Sequence, residues 1–281
     1  MLKVSLPYIL ILALAFSSCK QKDSVFIENK ARNEMDSVSF VINTVDKSVG
    51  RCDTEGTDAC AEVYLQLLKL NPQKPNGTLD SIQKSIDKEF LNLSNTDTAE
   101  IRTPHQLIYG FLDEFSQIIT ELPDYVTRWE MERSADVNYN KFGILGISLF
   151  DYSYTGGAHG NSFIQFLNYD LISGKELGLK EFILDSDGSA FTQFSENQFR
   201  KSQNIKPETA WSEADFWFEE GFYLPENFKI SDQGLHFIYN SYEIAPYAIG
   251  QIELLIGWKE LEPFLQSEWK SLFSKAELPA S

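Results

Sequence analysis

The sequence contains few of the residues that build metal centres, with three cysteines and three histidines among 281 residues. The histidines, at positions 105, 159 and 236, have neither the HxxxH nor the HExxH spacing. A zinc site would require His159 and His236 to converge with a carboxylate, since zinc takes three or four such ligands. The sequence therefore predicts no metal site and no other cofactor.

Positive charge is also scarce, because 24 lysines and arginines stand against 41 aspartates and glutamates, a formal net charge of −17. A protein with this charge is repelled by nucleic acid and by anionic lipid headgroups. The same charge attracts a basic protein. We therefore expect no nucleic-acid partner.

Common catalytic motifs are absent from the sequence. It contains no G-x-S-x-G segment, no P-loop and no dinucleotide-binding fingerprint. Because 41 acidic residues are present, some pair of carboxylates will always lie at the distance used by glycosidases. The sequence alone names no catalytic residue.

The mostly apolar run at residues 4–16 has 13 residues, which is too short to span a membrane. It follows Lys3 and ends in Phe-Ser-Ser-Cys, which is typical of a signal peptide with a bacterial lipobox. We predict a signal peptide at 1–18, an acylated Cys19 and a flexible tether at 19–36. The alternative is a plain signal peptide cut nearby. The predicted location is the bacterial cell envelope, where the lipid anchor would leave the protein facing the periplasm or the cell exterior.

Two further cysteines, Cys52 and Cys60, flank the polar segment DTEGTDA. An even pair in an oxidising compartment predicts a disulfide.

Hydrophobic periodicity predicts an α+β fold, with antiparallel sheets, helices packed on one face and two intimately associated subdomains. Two helices are predicted. The first follows Asn76-Gly77-Thr78 and has Asp80 in its first turn, and the second begins with Thr103 as its N-cap. The predicted strands are 36–49 and 61–70 as a hairpin, a strand from 128, then 144–154, 162–169, 235–241 and 251–257. Residues 170–175 are predicted to be a hairpin connection, and 181–222 and 258–273 to be helical.

The first candidate ligand-binding segment joins two predicted strands and contains three glycines. Its backbone amides could form an anion-binding nest beside an imidazole that titrates near neutral pH. Alternatively, it is a tight connection whose histidine caps a local carbonyl. The candidate residues are Tyr154, Gly156, Gly157, His159 and Asn161.

The second candidate segment contains Tyr242 and Tyr247 on either side of Pro246. Tyrosines on a kinked segment can form a recognition surface for protein or sugar. They can equally be half-buried structural rings.

Three segments resemble the C-terminal domain of unknown function of lysozyme-sensing anti-sigma factors of the RsiV type. They are YTGGAHGN (154–161), NYDLISGKELGLKEFI (168–183) and YEIAPYAIGQIEL (242–254). The region from AEVYLQLLKL (61–70) to LDSIQKSIDKEF (79–90) resembles the module that precedes that domain there and in the peptidoglycan deacetylase PdaC. The resemblance implies a PdaC-like module at 37–138, an RsiV-like domain at 139–275, an α+β fold and an extracytoplasmic role.

The functional prediction is a non-enzymatic envelope lipoprotein that binds a lysozyme-like basic protein or a peptidoglycan fragment. We expect neither sigma-factor regulation nor deacetylation, because the sequence shows no anti-sigma segment and no deacetylase catalytic domain. The alternatives are a hydrolase or deacetylase-type enzyme acting on cell-wall glycan through His159, and a structural component of an envelope assembly.

Overall fold

A computed structural model describes residues 37–52, 59–71, 76–93 and 100–273 of the chain. The predicted signal peptide, Cys19 and the whole of the predicted tether lie outside these residues. The described part has the predicted α+β class and contains a five-stranded and a three-stranded sheet. Within it, no helix has the length and apolar character needed to cross a membrane.

The five-stranded sheet has its strands in sequence order, and so does the three-stranded sheet. The strands are β1 (Phe40–Gly50), β2 (Cys60–Leu70), β3 (Trp129–Lys141), β4 (Ile144–Tyr154), β5 (Asn161–Asp170), β6 (Phe228–Ile230), β7 (Gly234–Tyr239) and β8 (Ile252–Gly257). The helices are α1 (Gly77–Asn92), α2 (Pro104–Glu121), α3 (Leu179–Phe182), α4 (Ser189–Ser202), α5 (Trp258–Leu261) and α6 (Ser267–Phe273).

Strands β1 and β2 form the predicted antiparallel hairpin. Cys52 and Cys60 form the predicted disulfide at one end of it, with their Cα atoms 5.3 Å apart. Gly50, opposite Cys60, has a φ of +87°, a conformation that side chains with a Cβ rarely adopt. The glycine and the disulfide therefore both shape the end of this hairpin.

One strand pair differs from the predicted antiparallel arrangement, because β2 and β3 are parallel. Helices α1 and α2 lie between these strands in the chain and return it to the same end of the sheet. Parallel strands need such a long crossover connection, usually a helical one. The two-helix connection therefore accounts for the parallel direction of β3, which the hydrophobic periodicity did not predict.

Both predicted long helices are present, and Thr103 is confirmed as the N-cap predicted for the second of them. Asn76 Oδ1 accepts hydrogen bonds from the backbone amides of Thr78 and Leu79. Thr103 Oγ1 accepts one from Gln106 N, and Pro104 is the first helical residue. The apolar stripes of both helices pack on one face of the five-stranded sheet, where they share a core with Leu65 and Ile147.

This core contains a buried ion pair between neighbouring strands. Arg133 of β3 and Asp151 of β4 lie opposite each other, with Nε 2.6 Å from Oδ1 and side chains 5% and 7% exposed. The guanidinium group also donates to the carbonyls of Phe90, Leu91 and Leu93 at 2.7–3.0 Å. Arg133 therefore caps the C-terminal end of α1, where backbone carbonyls have no partner within the helix.

The three-stranded sheet carries a second core, formed largely by aromatic residues from the second half of the chain. The predicted helical region 181–222 is wrong in part, because α4 ends at Ser202 and only a 3-10 turn, Trp211–Ala214, follows. Asn204 and Asp215 have left-handed φ values of 56° and 61°, which interrupt a right-handed helix. The rings of Trp211, Phe216 and Phe218 pack around Phe199 without helical periodicity.

Two smaller differences concern the end of the chain and the domain division. The predicted helix 258–273 is interrupted between α5 and α6, next to Pro263, which cannot donate a helical hydrogen bond. The predicted division at 138/139 falls inside β3, and the first sheet continues to Asp170. Residues 170–175 do reverse the chain, which then makes a single bridge between Tyr169 and Glu176.

Replacing Arg133 tests the buried ion pair. We expect Arg133→Leu to lower the free energy of unfolding by about 3–5 kcal/mol, because Asp151 would keep a buried charge without a partner. Urea-induced unfolding followed by circular dichroism measures the change. The control is Arg102→Leu, which removes an exposed ion pair with Glu100 and should cost about 0–1 kcal/mol. Equal stability of the two variants would contradict the role assigned to Arg133.

Candidate ligand-binding site

The glycine-rich turn predicted as a candidate site connects β4 to β5. Gly156 and Gly157 have φ values of +107° and +102°, so the turn requires residues without a Cβ at both positions. Tyr154 Oη donates to Gly157 O at 3.1 Å, and Tyr125 Oη donates to Thr155 O at 3.2 Å. The turn is therefore held in one shape by tyrosines on either side of it.

The second candidate segment follows β7. Glu243 Oε2 accepts a hydrogen bond from Asn240 N at 2.8 Å, and burial raises the pKa of this carboxyl group. Tyr242 has a left-handed φ of 68°, which directs the chain into the 3-10 turn Tyr247–Ile249. Tyr242 and the 3-10 turn therefore bend the chain between β7 and β8.

The structure brings these two segments together. His159 stacks on Tyr247 with a centroid distance of 3.7 Å and an interplanar angle of 9°. Tyr242 lies 6.4 Å from His159 and 5.4 Å from Tyr247, measured between ring centroids. We call these three residues the ring cluster. Its members come from positions 83 and 88 residues apart in sequence, and sequence analysis named each of them without predicting their contact.

Hydrogen bonds to Gly160 fix the ring cluster to the turn. Tyr247 Oη donates to Gly160 O at 3.0 Å, and His159 Nδ1 lies 2.8 Å from the same oxygen. His159 thus caps a local carbonyl, as one of the two interpretations predicted, and it also stacks on a residue of the other segment. Tyr242 is 52% exposed, so the cluster lies at the surface and presents aromatic faces to solvent.

The remaining predicted site residues have different positions. Tyr154, Gly156 and Gly157 shape the turn, while Asn161 begins β5 opposite Ser153. Gly160 was not among the candidate residues, although it is one of the three glycines of the segment. An added Cβ at this position would lie 2.4 Å from the ring of Tyr152.

An acidic surface extends from the ring cluster across the exposed face of the first sheet. Cross-strand pairing aligns two rows on this face, Asp46–Tyr64–Glu132–Tyr152 and Ser48–Glu62–Glu130–Tyr154. A shallow cavity of about 220 Å³ lies among their carboxylates and the two tyrosines Tyr64 and Tyr152. Arg128 lies beside Glu62 and Glu130 and offsets part of this charge.

Tyr152 connects the acidic surface to the ring cluster. Its pKa is raised above the ordinary tyrosine value by burial, then by the Glu130 carboxylate and by Tyr247. Tyr152 also lies opposite Glu132 on β3, and its ring lies against Gly160, whose carbonyl accepts the hydrogen bond from Tyr247. The ring cluster therefore adjoins the carboxylates of the sheet face.

The other histidines take no part in the ring cluster. His236 contacts Ser231 and Glu253, and His105 stacks on Tyr109 within α2. The one group of metal-ligating atoms found within the described residues consists of Cys52, Cys60 and Glu62, and both of its sulfurs are engaged in the disulfide.

Comparisons with known proteins agree with this architecture. Residues 54–162 match the family model described as deacetylase PdaC, and residues 182–259 match the model described as a protein of unknown function, DUF3298. The chain therefore has the predicted order, a PdaC-like module followed by a C-terminal domain of unknown function. No curated protein matches the sequence.

Two solved structures share the fold. A DUF3298 family member from Bacteroides fragilis, BF2082, has a TM-score of 0.69 and 19% identity, covering 87% of this chain and 99% of that one. A DUF3298 family protein from Pseudomonas aeruginosa, PA4972, has a TM-score of 0.59 and 18% identity, covering 82% of this chain and 96% of that one. At this level of identity the likeness concerns the fold alone.

A double-mutant cycle tests the stacked pair of the ring cluster. We expect His159→Ala and Tyr247→Ala to show a coupling free energy of about 0.5–1.5 kcal/mol, because each substitution removes the partner ring of the other. Urea-induced unfolding of the wild type, the two single variants and the double variant gives this value. The control cycle combines His159→Ala with Tyr109→Ala, a substitution on α2. A coupling no larger than that of the control would contradict the stacked arrangement.

Proposed function

We propose that this protein is an envelope lipoprotein that binds a basic protein of the lysozyme type through the ring cluster and the adjoining acidic surface. The observation that carries the proposal is the convergence of His159, Tyr242 and Tyr247 into one exposed aromatic cluster. Aromatic side chains are common among the residues that contribute most to protein–protein affinity.

The choice of a basic partner rests on charge. The net charge of −17 attracts a cationic protein from a distance and increases its association rate. The carboxylates of Asp46, Glu62, Glu130 and Glu132 lie on the sheet face that adjoins the rings. A basic partner centred on the ring cluster would therefore meet opposite charge at its rim.

The rigidity of the site supports binding without a large change of shape. Gly160 O accepts a hydrogen bond from Tyr247 Oη. The hydroxyl groups of Tyr125 and Tyr154 donate to backbone carbonyls of the turn and hold it on both sides. A preorganised surface avoids much of the entropy cost of ordering loops on association. A peptidoglycan fragment, whose sugar rings can also stack on tyrosines, is the competing ligand that the experiment has to distinguish.

Calorimetric titration of the full chain with a basic lysozyme tests the proposal. We expect saturable binding that persists at about 0.15 M salt, where the Debye length is about 8 Å. Tyr247→Ala and His159→Ala should each weaken it at least about tenfold, corresponding to about 1.4 kcal/mol. Tyr109→Ala, an exposed tyrosine of α2, is the matched control and should leave the affinity unchanged.

Three outcomes would overturn the proposal. Heat that vanishes at about 0.15 M salt would mean charge attraction alone. Equal affinities for wild type and Tyr247→Ala would place the contact elsewhere. Saturable binding of soluble muropeptides, together with no binding of lysozyme, would replace the protein partner with cell-wall glycan.

We further propose that Cys19 is acylated and anchors the protein in the membrane, as the lipobox-like segment before it predicts. In fractionated cells we expect the wild-type protein in the membrane fraction and Cys19→Ala in the soluble fraction. Ser18→Ala keeps a small residue before the cysteine and should behave as the wild type. A wild-type protein that is already soluble would support the plain signal peptide.

A further inference from the structure

A serine, a histidine and a glutamate form a hydrogen-bonded chain on the three-stranded sheet. Ser231 lies in the turn after β6, His236 in β7 and Glu253 in β8. Ser231 Oγ is 2.7 Å from His236 Nε2, and His236 Nδ1 contacts Glu253 Oε1. This is the connectivity of a Ser–His–acid triad, which is recognised by geometry and not by position in the sequence.

The hydrogen bonds around Ser231 also determine where the hydroxyl proton points. Oγ accepts hydrogen bonds from the backbone amides of Gln233 at 3.0 Å and Gly234 at 3.2 Å. With its lone pairs engaged, the hydroxyl group donates to Nε2 of His236, since the alternative acceptor, Gly234 O, is farther away at 3.3 Å. Nδ1 then carries the imidazole hydrogen and donates it to Glu253. This is the tautomer in which a histidine can act as a general base for a serine.

A cavity of about 460 Å³ lies beside these residues and is lined by Ser231, His236, Lys229 and Asn138. Its volume is within the range of small-molecule sites. Both polar atoms of the Asn138 side chain, Nδ2 and Oδ1, are buried and have no hydrogen-bond partner among the described residues. Asn138 lies at a bulge, where the register between β3 and β4 shifts. Bulges often redirect a side chain towards a functional site.

We propose that Ser231, His236 and Glu253 form a catalytic site that hydrolyses small esters with short acyl groups. Ser231 Oγ attacks the ester carbonyl carbon, and its proton passes to His236 Nε2. For this attack, the hydrogen bond from the Gly234 amide to Ser231 Oγ has to lengthen, because it occupies a lone pair of the attacking oxygen. It is the longer of the two amide hydrogen bonds to this oxygen. The unpartnered Nδ2 of Asn138 is buried beside the cavity, and it would donate to the oxyanion only after this side chain rotates towards the cavity.

The reaction balances with water as the only co-reactant. The tetrahedral adduct collapses, the bond from carbon to the leaving oxygen breaks, and His236 returns its proton to the alcohol. Water then attacks the acylated Ser231 and gives its proton to His236. Collapse of the second adduct releases the carboxylic acid and restores the serine hydroxyl group.

This activity is independent of the ring cluster and departs from the non-enzymatic expectation. It also differs from the predicted hydrolase alternative, because that alternative used His159. His159 contacts Tyr242, Tyr247 and a backbone carbonyl, and none of these contacts is a serine, threonine or cysteine side chain. Ser231 and His236 are instead five residues apart and meet across the turn between β6 and β7.

Two probes test the proposal on the full chain. A fluorophosphonate, which phosphonylates activated serines, should label one residue per chain, and peptide mass spectrometry should locate it at Ser231. With p-nitrophenyl acetate we expect hydrolysis that Ser231→Ala abolishes. Glu253→Gln should slow it at least about tenfold, because the carboxylate that orients His236 is lost. Since Glu253 is exposed, this variant is expected to keep its fold.

Two controls separate the triad from other sources of hydrolysis. Ser212→Ala removes an exposed serine elsewhere, and His105→Ala removes an exposed imidazole of α2, since an imidazole can itself cleave nitrophenyl esters. Both variants should keep the wild-type rate. Labelling at another residue, an absence of labelling, or a folded Ser231→Ala variant with the wild-type rate would overturn the proposal. Loss of hydrolysis in His105→Ala would assign the reaction to an imidazole outside the triad and overturn it as well.

Discussion

The outer edge of β5 is the constraint on which the arrangement of the two sheets depends. Edge strands carry backbone groups without partners in the sheet. Here Asn240 Oδ1 accepts from Ile164 N at 2.8 Å, and Asn227 Oδ1 accepts from Phe166 N at 2.9 Å. Both asparagines also donate from Nδ2 to Ile164 O, at 2.9–3.0 Å. A side-chain amide offers the same donor and acceptor as a peptide group, so the two asparagines take the place of a strand and fasten the second sheet to the first.

This connection explains why the ring cluster forms. Asn240 comes just before Tyr242 in the chain, and Ile164 comes shortly after His159. Once Asn240 has bound the β5 edge, the following residues lie beside the turn that precedes β5. Tyr247 can then reach Gly160 O. The contact between His159 and Tyr247 therefore follows from the hydrogen bonds between Asn240 and Ile164. The rings need not themselves hold the two sheets together.

Sequence patterns predicted the elements well where they depend on local chemistry. The N-cap at Thr103, the β1–β2 hairpin and the alternation of β3 required only neighbouring residues. The parallel pairing of β2 and β3 and the contact of His159 with Tyr247 depend on long-range packing and were not visible. Arg133 was missed for another reason: it occupies an apolar-face position of β3, and only the carbonyls at the end of α1 explain a buried charge there. Ser231 and His236 were missed because their contact follows from a turn and not from a known motif.

The strand β7 links the two candidate sites. All six of its residues are buried. Its histidine, His236, forms hydrogen bonds with Ser231 and Glu253. Asn240, just beyond the strand, accepts a hydrogen bond from β5. His236 and Asn240 are four positions apart along an extended chain, a distance of about 13 Å at about 3.3 Å per residue. Because β7 is paired on both edges, with β6 and β8, it holds these two side chains at a fixed separation. The binding surface and the proposed catalytic serine thus take their geometry from the same strand while using different residues, so each can be altered by substitution without removing the other.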